Sequence, residues 1–117
     1  MRFVHMGGER WKWFQFRGTD FEVDLYCATT EEHAEAVGKF RVGMPGVDMQ
    51  GWLTHIATHW FRAFKGAVDG AGQPIDNTLA NRVAILNAPD VYAFVYGSLN
   101  NFAAWRAEGN ADSGSVS

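Results

Sequence analysis

Between residues 20 and 27 apolar and polar side chains alternate, with Phe21, Val23, Leu25 and Cys27 on one side and Glu22, Asp24 and Tyr26 on the other. A period of two marks a strand with one buried and one wet face. Residues 11–17 carry the same period, and Gly18-Thr19 between the two runs predicts a β-hairpin. In the first run, rings occupy both faces, Trp11 and Trp13 on one and Phe14 and Phe16 on the other. Its outer face therefore needs cover.

The period then changes to that of a helix. Thr29-Thr-Glu-Glu32 has the form of a capping box, and the spacing predicts a helix to about Arg41 with Ala34, Val37 and Phe40 inward. Gly43-Met-Pro-Gly46 ends it. Asp48 can cap a longer helix, since Leu53, Ile56, Trp60, Ala63, Phe64 and Ala67 recur at helical spacing opposite His55, Thr58, Arg62 and Lys65. Two glycines and a proline within residues 68–75 predict a tight loop or small irregular hairpin. Asn77 is placed to cap a third helix carrying Leu79, Val83 and Leu86. Pro89 suits the first turn of a fourth, with Val91, Val95, Leu99 and Phe102 inward and Phe94 and Trp105 flanking. From Gly109 onward small and polar residues dominate, which predicts a flexible tail. The expected fold is a single α+β domain over residues 1–108, an N-terminal β-hairpin packed on four helices, followed by a flexible tail at 109–117.

Composition adds a surplus of rings. A chain of 117 residues supports one core, and its nine Phe, five Trp and three Tyr exceed the deep positions such a core offers. Some rings are therefore expected to face a partner, and the candidates are Trp11, Trp13, Trp52, Trp60, Phe61 and Phe64. A net charge of −3, with ten Lys and Arg residues dispersed along the chain, argues against nucleic acid. Cys27 stands alone, so no intramolecular disulfide forms and a reducing cytoplasm is expected. The start has no apolar signal core, and no apolar run approaches the ~20 residues of a membrane span.

Candidate chemistry is sparse. His55 and His59 sit four apart, a spacing that can hold zinc, but Ile56 stands where a zinc protease helix carries its glutamate base. His5 and His33 could join them only through tertiary folding. Cys27 continues an inward alternation and reads as a small buried hydrophobe rather than a nucleophile. Asp20, Glu22, Asp24, Glu31, Glu32 and Glu35 belong to a wet strand face and a helix start. Gly70-Ala-Gly72 lacks the lysine and hydroxyl residue of a phosphate loop. No enzyme activity, cofactor or metal is expected.

One stretch is informative through its order: Trp60, Asp69-Gly-Ala-Gly72-Gln-Pro-Ile75, Asn77-Thr78, Asn81-Arg82, Leu86, Pro89 and Val91, closing on Glu108-Gly-Asn110. It resembles the tail assembly chaperones of long-tailed bacteriophages and prophages, which often show a tryptophan helix, an Asp-Gly-Xaa-Pro loop, a helix opening near Asn-Arg and a Leu-rich helix ending before proline. Residues 50 to 112 are covered. The sequence departs at Leu79-Ala80, where a charged residue is expected. The resemblance implies a protein of the host cytoplasm that coats the long tape measure protein, keeps it soluble and recruits tail tube subunits, and that is absent from the finished particle. It leaves a homo-oligomer open. The competing readings are a structural tail or head-tail component retained in the virion, a small metal protein on His55 and His59, and a host-directed phage inhibitor.

Overall fold

The computed structural model describes residues 10–101 and Trp105. His5, Phe102, Glu108-Gly-Asn110 and the tail expected at 109–117 lie outside the described residues. The fold is α+β: among the described residues it has a three-stranded antiparallel sheet and four α-helices, in the order β1 (Trp11–Gln15), β2 (Glu22–Tyr26), α1 (Thr30–Phe40), α2 (Met49–His55), a π-helical turn (Ile56–Trp60), β3 (Phe61–Lys65), α3 (Leu79–Leu86) and α4 (Pro89–Leu99).

The hairpin forms as the alternation predicts. β1 pairs with β2 from Trp11 opposite Tyr26 to Gln15 opposite Glu22. Gly18 takes φ 81° in the turn, and the Phe16 N–H donates to the Phe21 carbonyl at 2.8 Å. Val23 and Leu25 are fully buried, and on the same face Phe16 stacks on Phe94 of α4 with ring centres 4.9 Å apart.

Helix α1 opens with the expected capping box. The Glu32 N–H donates to Thr29 Oγ1 at 3.0 Å, and the Thr29 N–H donates to Glu32 Oε1 at 2.8 Å. Its inward stripe differs from expectation: Ala36 and Phe40 are buried, His33 and Val37 are half-buried, and Ala34 is exposed. Those four inward positions follow the i, i+3, i+4, i+7 rule when counted from His33, whose ring gives a larger contact surface than Ala34.

The larger correction concerns the long helix expected from Asp48 to Ala67. Asp48 does cap, accepting from the Gly51 N–H at 3.0 Å, but the helix stops at His55, widens into the π-helical turn and becomes β3. A two-stranded hairpin alone is marginal, and β3 closes the second edge of β2. Of the expected stripe, Leu53, Ile56 and Trp60 are buried in helical turns, but Ala63 lies on the outer sheet face and the strand carries a β-bulge. In the register, Phe64 lies opposite Val23, Ala63 opposite Asp24 and Phe61 opposite Leu25, so Arg62 is an extra residue. That insertion puts Phe61 and Phe64 on the same inner face although they are three residues apart, which is helical spacing.

After β3 the chain turns at Gly66, where φ is 82° and a Cβ would sit 2.2 Å from the Asp20 carbonyl oxygen. The loop is the small irregular hairpin expected: Val68 bridges Pro74, and Asp69 Oδ1 accepts the Ala71 and Gln73 N–H groups at 2.8 and 2.9 Å. Helix α3 is capped by Thr78, one residue after the expected Asn77, through an Asn81 N–H bond of 3.1 Å to its hydroxyl. Asn77 instead ties the helix to the sheet, donating to the Arg62 carbonyl at 3.0 Å and accepting from Arg82 Nη1 at 2.6 Å. Arg82 Nε donates in turn to the Ala57 carbonyl at 3.0 Å, meeting a backbone acceptor within the π-helical turn. Leu79 is exposed, contrary to its expected place on the inward stripe, while Leu86 is fully buried. In α4, Val95 and Leu99 are buried and Pro89 occupies the first turn.

Candidate partner-binding face

The six rings singled out from the sequence separate into two groups. Trp52, Trp60 and Phe61 are core residues, none more than 3% exposed, and Phe64 is half-buried on the inner sheet face. Trp52, Trp60 and Phe61, expected as a partner surface, are therefore corrected to enclosed core residues of the folded domain. Trp52 and Trp60 meet edge to face at 5.7 Å, and Trp52 Nε1 donates to Tyr92 Oη at 2.9 Å, so the one polar atom of that buried indole is satisfied from α4. The π-helical turn is what brings Trp60 inward and still delivers Phe61 to the sheet.

Trp11 and Trp13 lie on the opposite, outer face, and Trp13 is 37% exposed. The cover that this face needs comes partly from the chain's own cations. Arg62 places its guanidinium 4.2 Å from the Trp11 ring centre, and Lys65 its ammonium 4.3 Å from that of Trp13. Both cations start on β3 and reach rings on β1, so their side chains cross the central strand. Beneath them lies Asp24, whose Oδ2 accepts from Arg62 Nε at 2.7 Å. The Asp24 side chain is 7% exposed and that of Arg62 is 51% exposed. Trp11 also packs on Tyr26, ring centres 5.3 Å apart.

Sequence reasoning missed Arg62, Lys65 and Asp24 because it placed the first two on the solvent side of a helix. In a regular strand Arg62 and Lys65 fall on opposite faces, and it is the bulge that brings both to the face of Asp24.

The other candidates are two histidines and a cysteine. His55 and His59 have ring centres 4.9 Å apart, but His55 is packed by Phe40, Trp52 and Trp60 at 5.4, 6.3 and 4.9 Å. Its pKa is lowered by burial first, then by His59 and Lys39, so the neutral form is favoured. Among the described residues no three His, Cys, Asp or Glu side chains gather to hold a metal. Cys27 is half-buried and burial raises its pKa, which keeps the thiol protonated and a poor nucleophile. Among the described residues, no helix is long and apolar enough to cross a membrane. Further exposed apolar side chains, absent from the sequence expectations, are Met44 and Val47 in the loop between α1 and α2 and Met49 at the start of α2. Comparison of the chain with protein-family models, with curated proteins and with solved structures finds no match.

Proposed function

We propose that this domain is a non-catalytic assembly protein, a tail assembly chaperone that holds the tape measure protein in the host cytoplasm and helps recruit tail tube subunits. The reading joins the resemblance in residues 50 to 112 to a single structural observation: an indole pair, Trp11 and Trp13, lies on the outer sheet face with Trp13 partly bare and two cations laid across it. Rings with cationic neighbours are favoured at the centres of protein interfaces, because they bury large area at low entropic cost. The segment that carries the resemblance has a structural task as well. Asn77 and Arg82 fasten the start of α3 to Arg62 and to the π-helical turn, and so hold β3 in register beneath the face.

Co-expression with a tape measure protein tests the proposal. The expected result is a soluble complex that co-purifies through two columns, and a tape measure protein that aggregates when the domain carries Trp13→Glu. Equal solubility of the tape measure protein with and without the domain would refute it. Mass spectrometry of finished particles separates this role from that of a retained structural component, since a chaperone is missing from them.

A further inference from the structure

Histidines from three elements meet around one buried indole. His33 of α1 stacks on Trp60, with ring centres 5.8 Å apart and planes 9° from parallel. His55, which ends α2, meets the same indole edge to face at 4.9 Å. His59 of the π-helical turn lies 4.9 Å from His55. Phe40 closes the seam from α1, 5.4 Å from His55 and 6.3 Å from Trp52. Helix α1 therefore docks on the core through an imidazole, a phenyl ring and the small Ala36.

A proton is costly in this seam for reasons of geometry. His33 Nε2 is buried with no hydrogen-bond partner among the described residues, so the charged ring, a donor at both nitrogens, places one N–H where no acceptor lies. A charge on His55 meets Lys39 of α1 and the imidazole of His59. The surrounding rings oppose this only weakly, since a cation on an indole gains about 0.5–2 kcal/mol and burying a charge costs several kcal/mol. Burial wins, and the pKa of His55 is lowered accordingly. The carboxylates of α1 are engaged elsewhere. Glu31 and Glu35 are exposed, and Glu32 accepts from the Thr29 N–H at 2.8 Å and from Tyr26 Oη at 3.3 Å. The Thr29 bond is the first cause that lowers the Glu32 pKa, so this carboxylate keeps its charge through the range in which histidines titrate. Of the four helices α1 is also the least tied to the rest: its main contacts are with α2, whereas β2 is bonded to a strand on each side.

We propose that His33 and His55 make α1 a proton-released helix, which leaves the seam on acidification and uncovers Trp52 and Trp60 while the three-stranded sheet stays folded. The device is independent of the partner-binding role given above, because Trp11 and Trp13 lie on the other face of the sheet. The sign follows from linkage. The docked helix excludes the proton and the released helix accepts it, so docking is complete above pH 6.5 and weakens below it. One pH unit lower, each excluded imidazole favours release by up to about tenfold, and two by up to about a hundredfold. The opening is local, since it breaks the few contacts of one helix and no strand pairing.

Hydrogen exchange of the full chain, read by mass spectrometry at about pH 7.5 and about pH 5.5 and corrected for intrinsic rates, tests this. Peptides from α1 are expected to lose protection by at least about tenfold at the lower pH and to regain it when the pH is restored, with peptides from β2 unchanged. The double variant His33→Phe, His55→Phe keeps a ring at both positions and removes both protonation sites, so α1 should hold its protection at either pH. The pair His33→Gln, His55→Gln removes the same protons without added apolar bulk. It should show lower but equal α1 protection at the two pH values, and it replaces the Phe pair where that pair does not fold. Equal protection of α1 at both pH values in the wild type, loss of β2 protection together with that of α1, or an acid release that survives in the double variants overturns the proposal.

Discussion

Asp24 and Arg62 form an ion pair of 2.7 Å in which the carboxylate is enclosed and the guanidinium is half in solvent. Asp24 lies on the central strand, where a lone charge would be costly. The bulge at Arg62 turns that cation to the same face and lets it cross to Trp11. One inserted residue thereby serves both the buried carboxylate and the surface indole.

Removing Arg62 is expected to leave Asp24 without its cation. Arg62→Ala should destabilise the domain by about 1–3 kcal/mol, less than a fully buried broken pair because the guanidinium is half solvated. Adding Asp24→Ala should recover part of that loss. Urea unfolding of the single and double variants measures the coupling, and additive losses would contradict it.

Trp52 and Phe61 are expected to behave as core residues. Trp52→Ala and Phe61→Ala should each cost about 3–5 kcal/mol, a large part of the 5–15 kcal/mol that a domain of this size commands. Tyr92→Phe, which leaves the buried Trp52 N–H unpaired, should cost about 1–3 kcal/mol. Thermal unfolding followed by tryptophan fluorescence checks all three. Wild-type stability in Trp52→Ala would overturn the core assignment.

The Gly66 backbone admits no side chain. Its φ of 82° disfavours an L-residue, and a Cβ would meet the Asp20 carbonyl at 2.2 Å. Gly66→Ala should destabilise by at least about 2 kcal/mol and loosen the end of β3. Faster hydrogen exchange at the Glu22 and Lys65 amides is the expected signature; unchanged exchange would contradict it.

Acidification should weaken the packing of α1 on the π-helical turn. The folded-state pKa of His55 is lowered from 6.5, so the unfolded chain takes up a proton more readily than the folded one. This group's contribution is fully present above pH 6.5 and is lost as the pH falls from there toward the lowered folded value. The side chains facing it are Lys39, His59, Trp52, Trp60 and Phe40. His55→Gln should flatten the stability profile over that interval, measured by urea midpoints against pH. An equally steep profile in the variant would assign the effect elsewhere.

Much of the fold was legible because local signals and tertiary packing agree. The alternation of Phe21, Val23 and Leu25, the Thr29–Glu32 box, the Asp48 cap and Pro89 all mean in the folded chain what they mean in isolation. The segment from Phe61 to Lys65 was not legible because a bulge puts side chains three residues apart on one strand face, and no local rule says where a bulge falls. The candidate face was half legible for the same reason. Trp11 and Trp13 stood out from the hairpin pattern, whereas Arg62 and Lys65 acquire their meaning only once β3 pairs with β2. Trp52 and Trp60 read as surplus because the sequence does not show that the π-helical turn lets both indoles enter one core.

The most direct test of the account follows the five indole N–H resonances as a tape measure fragment is added to the isotopically labelled domain. Trp11 and Trp13 should shift or broaden, while Trp52 and Trp60 stay in place with Trp52 still bonded to Tyr92. Perturbation of Trp52 and Trp60 with Trp11 and Trp13 unmoved would contradict the assignment of the outer sheet face as the binding surface.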